Sequence, residues 1–298
     1  MTTWHLCPWA AFLLMGCGTA FLNWAAARAD EVATVSSRVS DDYVRTRLAD
    51  GSFQPETYAF GKGGYWSGAL RDKTIDEMNF MDVARTIAGP LERQGYVPTK
   101  DPRTTKFLIM IYWGTTQAPG SESATNAFQN MRQARADVDR ARLLGSPAEI
   151  AAADAAFSSA FAALHMEDTR RHQADSLNAQ MLGYDSWWDA TARFEGTPFE
   201  ARWQEMVDEL EKNRYFVVLM AYDFQLMWKQ KKTKLVWETR FSIGEQRNRF
   251  DQQLVAMALE ASKYFGQNSH GLVRKAVPEG KVEVGEVKSL GVVGAKAP

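Results

Sequence analysis

"TKLVWETRFSIG", running from Thr233 to Gly244, sets Leu235, Val236, Trp237, Phe241 and Ile243 among charged residues. It returns from an apolar run, Tyr215 to Trp228, in which Phe216, Val218, Met220, Tyr222, Phe224, Leu226 and Trp228 alternate. Residues two apart on a strand share a face, so the run predicts a strand with these large side chains on one dry side. Val217, Leu219, Ala221, Asp223 and Gln225 fall on the other side, with Asp223 read as solvated, and Gln230 to Thr233 reads as a polar turn. On the return, Leu235, Trp237, Thr239, Phe241 and Ile243 point inward and Lys234, Val236, Glu238, Arg240 and Ser242 outward. The two runs are expected to form a hairpin with one dry and one partly wet face. Trp237 is then a core residue burying a large area, not part of a reactive site.

Upstream, "KFLIMIYWG" (Lys106 to Gly114) is apolar on both alternating faces, as a central strand covered on both sides requires. "ETYAF" (Glu56 to Phe60) has strand composition and is expected to stop at a flexible "GKGG", Gly61 to Gly64. Lys62 in that cluster makes no phosphate loop, because no Ser or Thr follows it and no glycine stands five residues before it. Residues 30–52 are polar and mixed, with room for a short helix from Asp41 to Leu48. Thr74 and Glu77 have the spacing of a capping box ahead of a helix carrying Phe80, Ala84, Ile87, Ala88 and Leu91. Gly89-Pro90 predicts a kink or restart in that helix, and Gly95 its end. Thr197 and Pro198 open another helix, with Phe199, Trp203, Met206 and Leu210 on one face. A last helix presents Phe250, Leu254, Met257, Ala261 and Phe265 to the dry side of the sheet and ends near Gly266. "KVEVGEV" (Lys281 to Val287) reads as an edge strand and the last ten residues as loose.

From Ser121 to Leu182 the composition shifts to Ala, Arg, Asp and Gln. Ser146, Pro147 and Glu149 supply an N-cap, a first helical residue and the cap's reciprocal partner, so a helix starts there. Phe128, Met131, Ala134, Val138 and Ala141 form a stripe before the turn, and Ile150, Ala153, Phe157, Ala160 and Leu164 one after it. Two antiparallel helices are expected, each hiding its narrow stripe against the other.

The 298 residues carry a formal net charge of −1, which gives no summed field for nucleic acid or an anionic membrane. Both cysteines, Cys7 and Cys17, lie in the first twenty residues, so the body holds no thiolate nucleophile, thiolate zinc site or internal disulfide. That first segment reads as an export signal: Trp9 to Leu22 is nearly all apolar, and Ala27-Arg28-Ala29 supplies small residues for cleavage. Leu14-Met15-Gly16-Cys17 loosely follows a lipobox, and Pro8 to Ala27 is long enough for a retained anchor. All three readings put the body outside the cytoplasm, periplasmic or associated with the outer membrane.

Five stretches, "TYAF" at Thr57, "LERQGY" ending at Tyr96, "FLIMIYWG" at Phe107, "TKLVWETRFSI" at Thr233 and "LVAMALEASKYF" ending at Phe265, carry a resemblance. In them the sequence resembles a family of bacterial cell-envelope proteins of unknown function, many of them lipoproteins. The resemblance covers about half the chain, and residues 121–182 stand in it as an insertion. It implies an exported α/β domain and transfers no catalytic residue.

The fold class expected is α+β: a small mixed or antiparallel sheet of roughly four strands, covered by helices, with a long helical hairpin inserted. The organisation is a signal at 1–29, a first part of the envelope domain at 30–120, the hairpin at 121–182, a second part at 183–270 and a tail at 271–298. Two constellations have the residue types for chemistry. His165, Asp168 and His172, with Asp175, project within about 80° of arc on a continuous helix and have the makings of a divalent metal site. The competing reading is a solvated face on a polar helix. Asp185, Trp187, Trp188 and Asp189 combine carboxylates with aromatic faces, as sugar-binding clefts do. Against that stands a short capped helix whose tryptophans pack under the arm. No Ser has an esterase-elbow setting, and no cofactor is implied. The leading functional expectation is a non-enzymatic envelope protein whose arm self-associates or holds a partner. The alternative is an envelope hydrolase or glycan-binding protein using Asp185 to Asp189. Membrane contact is expected only through the N-terminal segment, if retained or lipidated.

Overall fold

The computed structural model describes residues 31–185 and 196–277. The readings placed on the leader and Cys17, on Trp187, Trp188 and Asp189, on "KVEVGEV" and on the last ten residues lie outside them. Seven strands form one mixed sheet: β1 (Glu31–Val39), β2 (Glu56–Trp66), β3 (Tyr96–Pro98), β4 (Phe107–Thr115), β5 (Arg214–Asp223), β6 (Leu235–Gly244) and β7 (Val273–Val277). Their order across the sheet is β3-β2-β4-β5-β6-β1-β7. β2 runs parallel to β3 and β4, and every other neighbouring pair is antiparallel. Among the described residues the helices are α1 (Lys73–Asp76), α2 (Phe80–Arg93), α3 (Ser121–Leu144), α4 (Pro147–Leu182), α5 (Glu200–Leu210), α6 (Phe224–Gln230) and α7 (Phe250–Ser262). The chain is therefore α+β, and α3 and α4 stand in sequence between two strands that pair directly.

One face of the sheet is covered by α1, α2 and α7. There Ile109, Ile111, Val217, Leu219, Leu254 and Met257 are fully excluded from water. The last turns of α4 and α5 cover part of the other face, where Ala179, Leu182, Met206, Leu210, Phe216 and Val218 make a smaller core. Trp237, Phe241 and Ile243 face the larger core, as expected. On β5 the faces are exchanged. Tyr215, Val217, Leu219 and Ala221 enter the larger core, and Phe216 and Val218 the smaller one, with Met220 and Tyr222 half-buried. Pairing forces this, because Val217 lies opposite Phe241 and Ala221 opposite Trp237, and directly paired residues share a face. β5 also ends at Asp223, not Trp228. The Asp223 carboxylate accepts from the Leu226 N–H at 2.9 Å and starts α6, so it is a helix cap and not a merely solvated side chain.

Several other expectations are corrected. β1 replaces the polar segment; its Thr34 and Ser37 hydroxyls are buried but paired with Ser242 and Thr239, each at 2.7 Å. No helix forms from Asp41 to Leu48, where Arg47 instead bridges Phe53. The "GKGG" glycines lie inside β2 at an irregularity in its pairing with β4, packed so that a Cβ on Gly63 would meet the Ile111 carbonyl at 2.7 Å. The capping box belongs to Asn79 and Asp82 at the start of α2, while Asp72 caps the one-turn α1. α2 does not restart at Gly89-Pro90 but is one helix through Pro90 to Arg93. α5 starts at Glu200, later than Pro198, and its Phe199 cap position offers no side-chain bond. α7 matches its expected face, with Phe250, Leu254, Met257 and Ala261 all buried. Among the described residues, no helix is long and apolar enough to cross a membrane.

Candidate functional site

The arm is the feature that the sheet body does not account for. α3 has 24 residues and α4 has 36, lengths of about 36 and 54 Å at the α-helical rise. The turn forms as its residues dictate. Ser146 accepts from the Glu149 N–H at 3.4 Å, the Glu149 carboxylate accepts from the Ser146 N–H at 2.6 Å, and Pro147 takes a first-turn position. Arg142 and Asp154, 3.1 Å apart, tie the helices near the tip. At the other end Ser123 donates to Glu167 at 2.5 Å, and Arg170 joins the same carboxylate. These bonds, Arg170's first, hold the Glu167 carboxyl down to about 2.

The two helices face each other along their stripes but hide them only in part. Among the described residues from Ser123 to Ala174, Val138 alone is buried. Met131, Ala134, Ile150, Phe157 and Leu164 are only half-buried, and Phe128, expected on the inner stripe, is exposed. The arm has two unlike flanks. On one, Phe157 stacks on Phe161 and Phe161 meets His165 edge-on at 4.5 Å, while Arg135 and Arg132 lie over the Phe157 and Phe128 rings. On the other, Ala127, Asn130, Ala156, Ser159, Ala160 and Ala163 line an open groove of about 640 Å³, with Ser123 and Glu167 at its inner end. Beside the turn, Leu143 and Leu144 are 81% and 86% exposed.

The root of the arm is fixed by polar bonds inside a small core. The Asn178 amide donates to the carbonyls of Gln117 and Leu210 at 3.0 and 3.1 Å, joining the segment before α3 to the end of α5. Arg171 pairs with Glu211 at 2.5 Å. Beside them Asp175 is buried, and one of its carboxylate oxygens accepts no hydrogen bond. Burial first, and then the charge of Glu211, push its carboxyl up to about 6, with Arg171 and His172 pulling the other way. α4 closes at Gly183, whose φ of +81° is left-handed and whose Cα lies against Ser36 of β1. Tyr184 then donates to Glu209, which also holds Arg214 and Arg274.

The structure separates the predicted site residues. His165, Asp168, His172 and Asp175 lie along α4 as expected, but among the described residues no group of three His, Cys, Asp or Glu side chains is placed to hold a metal ion. His165 packs on Phe161, and Asp175 belongs to the arm's root. Asp185 is gripped by Arg38 of β1 through both carboxylate oxygens, at 2.7 and 2.6 Å. Leu143, Leu144 and Phe161 were missed because the stripe pattern marks inward positions and gives no weight to apolar residues beside it. A scan against protein-family models and a search of curated proteins both find no match for this chain.

Proposed function

We propose that this chain is an exported cell-envelope protein that works by assembly, its helical arm engaging a second copy or another envelope protein, and that it is not an enzyme. The observation that carries this reading is the near-complete lack of burial along the arm, where Val138 alone is buried among the described residues from Ser123 to Ala174. Ordering each residue costs on the order of 1 kcal/mol of backbone entropy. Helices recover such a cost mainly by packing an apolar face, and here the stripes of both helices stay half open. A partner on the arm supplies the missing burial.

Export is supported by the leader pattern at 1–29, and a cut after Ala29 leaves β1 whole. The resemblance of the sheet body to envelope domains points the same way. The glycan-binding alternative draws no support from Asp185, whose carboxylate is engaged by Arg38.

Excising residues 128–163 and joining the stumps by a short Gly-Ser turn tests the reading. This cut spares Ala179 and Leu182, which removal of the whole 121–182 stretch would strip from the smaller core. The shortened chain is expected to keep a cooperative thermal transition and to lose the oligomeric mass, or the retained envelope protein, of the full chain. Unchanged assembly by the shortened chain overturns it.

A further inference from the structure

We infer that the arm's partner is a second copy of this chain, docked antiparallel so that Leu144 at the tip of each arm enters the small-residue groove of the other. This rests on the reading of the arm as an assembly surface and names its occupant.

Hollow and protrusion lie on one side of the same arm. Asn126, at the groove's inner end, and Leu144, at the tip, are eighteen residues apart in α3. Five turns of helix return to the same azimuth, about 27 Å further along. Ala127, Ala156, Ala160 and Ala163 keep the groove shallow-walled and let another helix approach closely. A two-fold contact pairs residue i with j and j with i, so a single antiparallel docking seats both exposed Leu144 side chains and fills both grooves. A parallel docking would instead leave the grooves open and stack tip on tip.

Charge does not oppose this choice, and area agrees with it. Glu167 at the groove's inner end is paired with Arg170, and Arg140 and Arg142 near the tip are paired with Asp137 and Asp154, so the two ends that meet are each balanced within their own arm. The aromatic flank is a poorer self-contact, because Arg132 and Arg135 cover its rings and would face their own copies. Over the roughly 27 Å between the groove's inner end and the tip, a face about 20 Å wide, two helices across, covers roughly 540 Å². The two copies together then bury about 1,100 Å², above the ~1,000 Å² that a specific interface should clear.

The body after the leader is cysteine-free, so the full chain carrying Cys7→Ser and Cys17→Ser accepts single probes cleanly. Light scattering should give a dimer mass. Mixed Leu144→Cys and Ala163→Cys chains should be joined by a short bis-maleimide, while neither variant cross-links with itself. Ala156→Arg, at an exposed helical position, should weaken the dimer by about tenfold or more without moving the thermal transition. A monomeric full chain, or Leu144→Cys cross-linking to itself, overturns the proposal. If the chain is monomeric yet the arm excision releases a different envelope protein, the second-copy proposal falls and the assembly reading stands. If the excision changes nothing, both fall.

Discussion

Asp175 lies where α4 leaves its projecting course and meets the body, and its surroundings make it sensitive to protons. Its carboxyl is raised from the usual 3.8 to about 6 by burial and by Glu211, against the opposing pull of Arg171 and His172. Between those two pH values the folded chain holds a proton that the unfolded chain has released. The group's stabilising contribution is therefore complete below pH 3.8 and is lost as pH rises through about 6. At neutral pH an ionised carboxylate remains, one of its oxygens buried without a donor. Asp175→Asn keeps the shape and removes the charge, with an expected gain on the order of 1 kcal/mol at pH 7.5. For a chain this size that raises Tm by about 2–4 °C. The gain should vanish near pH 4, where the wild-type group is already neutral. Thermal melts at both pH values check this; an equal shift at both, or a loss at pH 7.5, would refute the electrostatic account.

At the scale of elements, α4 meets β1 through Gly183. A Cβ there would meet the Ser36 Cβ at 2.5 Å, in addition to the strain of a left-handed backbone at φ +81°. Gly51, at φ +84°, has nothing within 4 Å and carries the backbone strain alone. Gly51→Ala is expected to cost about 1–2 kcal/mol, and Gly183→Ala distinctly more, the difference measuring the contact with Ser36. Equal losses in denaturant titrations would show that the helix end is free to shift. Elements with one strong period were legible in the sequence: β4, α7 and the arm's two helices and turn all stand where spacing and caps put them. β1 was hidden because its second face is polar yet buried, with Thr34 bonded to Ser242, and hydroxyl pairs imitate a solvated surface in a sequence. The faces of β5 were exchanged because both are apolar, and bulk is a poor guide to which one meets the larger core. Val217 and Leu219 are fully buried while Met220 and Tyr222 are not. Asp223 carried a usable signal, a capping residue ahead of an apolar helical turn, which the long alternation of aromatics concealed. The arm's role was only partly legible, since spacing identifies a stripe and burial depends on what lies across from it. Asp175 shows the same limit, for it shares a polar helix with His165 and His172 and differs only in what packs against it.

The whole molecule couples a dense two-sided sheet to an arm of very different local stability. β4 and β5 pair along their length from Phe107 and Asp223 to Thr115 and Tyr215 and lie at the centre of both cores. Opening them exposes Ile109, Ile111, Val217 and Leu219 together, so their amides should exchange only with global unfolding. The arm beyond Asp175 has Val138 as its one buried residue among those described, and it can open without disturbing either core. Its root is different, because the Asn178 bonds to Gln117 and Leu210 and the burial of Ala179 and Leu182 tie it to the body. Amide exchange is thus expected to divide at about Asp175: slow in β4, β5 and residues 178–182, fast in residues 123–174 when the protein is dilute. Occupation of the arm must change that pattern, since burial on a partner raises the cost of local opening by mass action. Protection should rise with protein concentration along residues 126–163 and stay constant in β4 and β5. Exchange measured across a hundredfold range of concentration distinguishes the cases. Arm amides as protected as the sheet in dilute solution would mean that the hairpin is stable alone and needs no cover. Concentration-independent exchange throughout would mean that no second copy engages it.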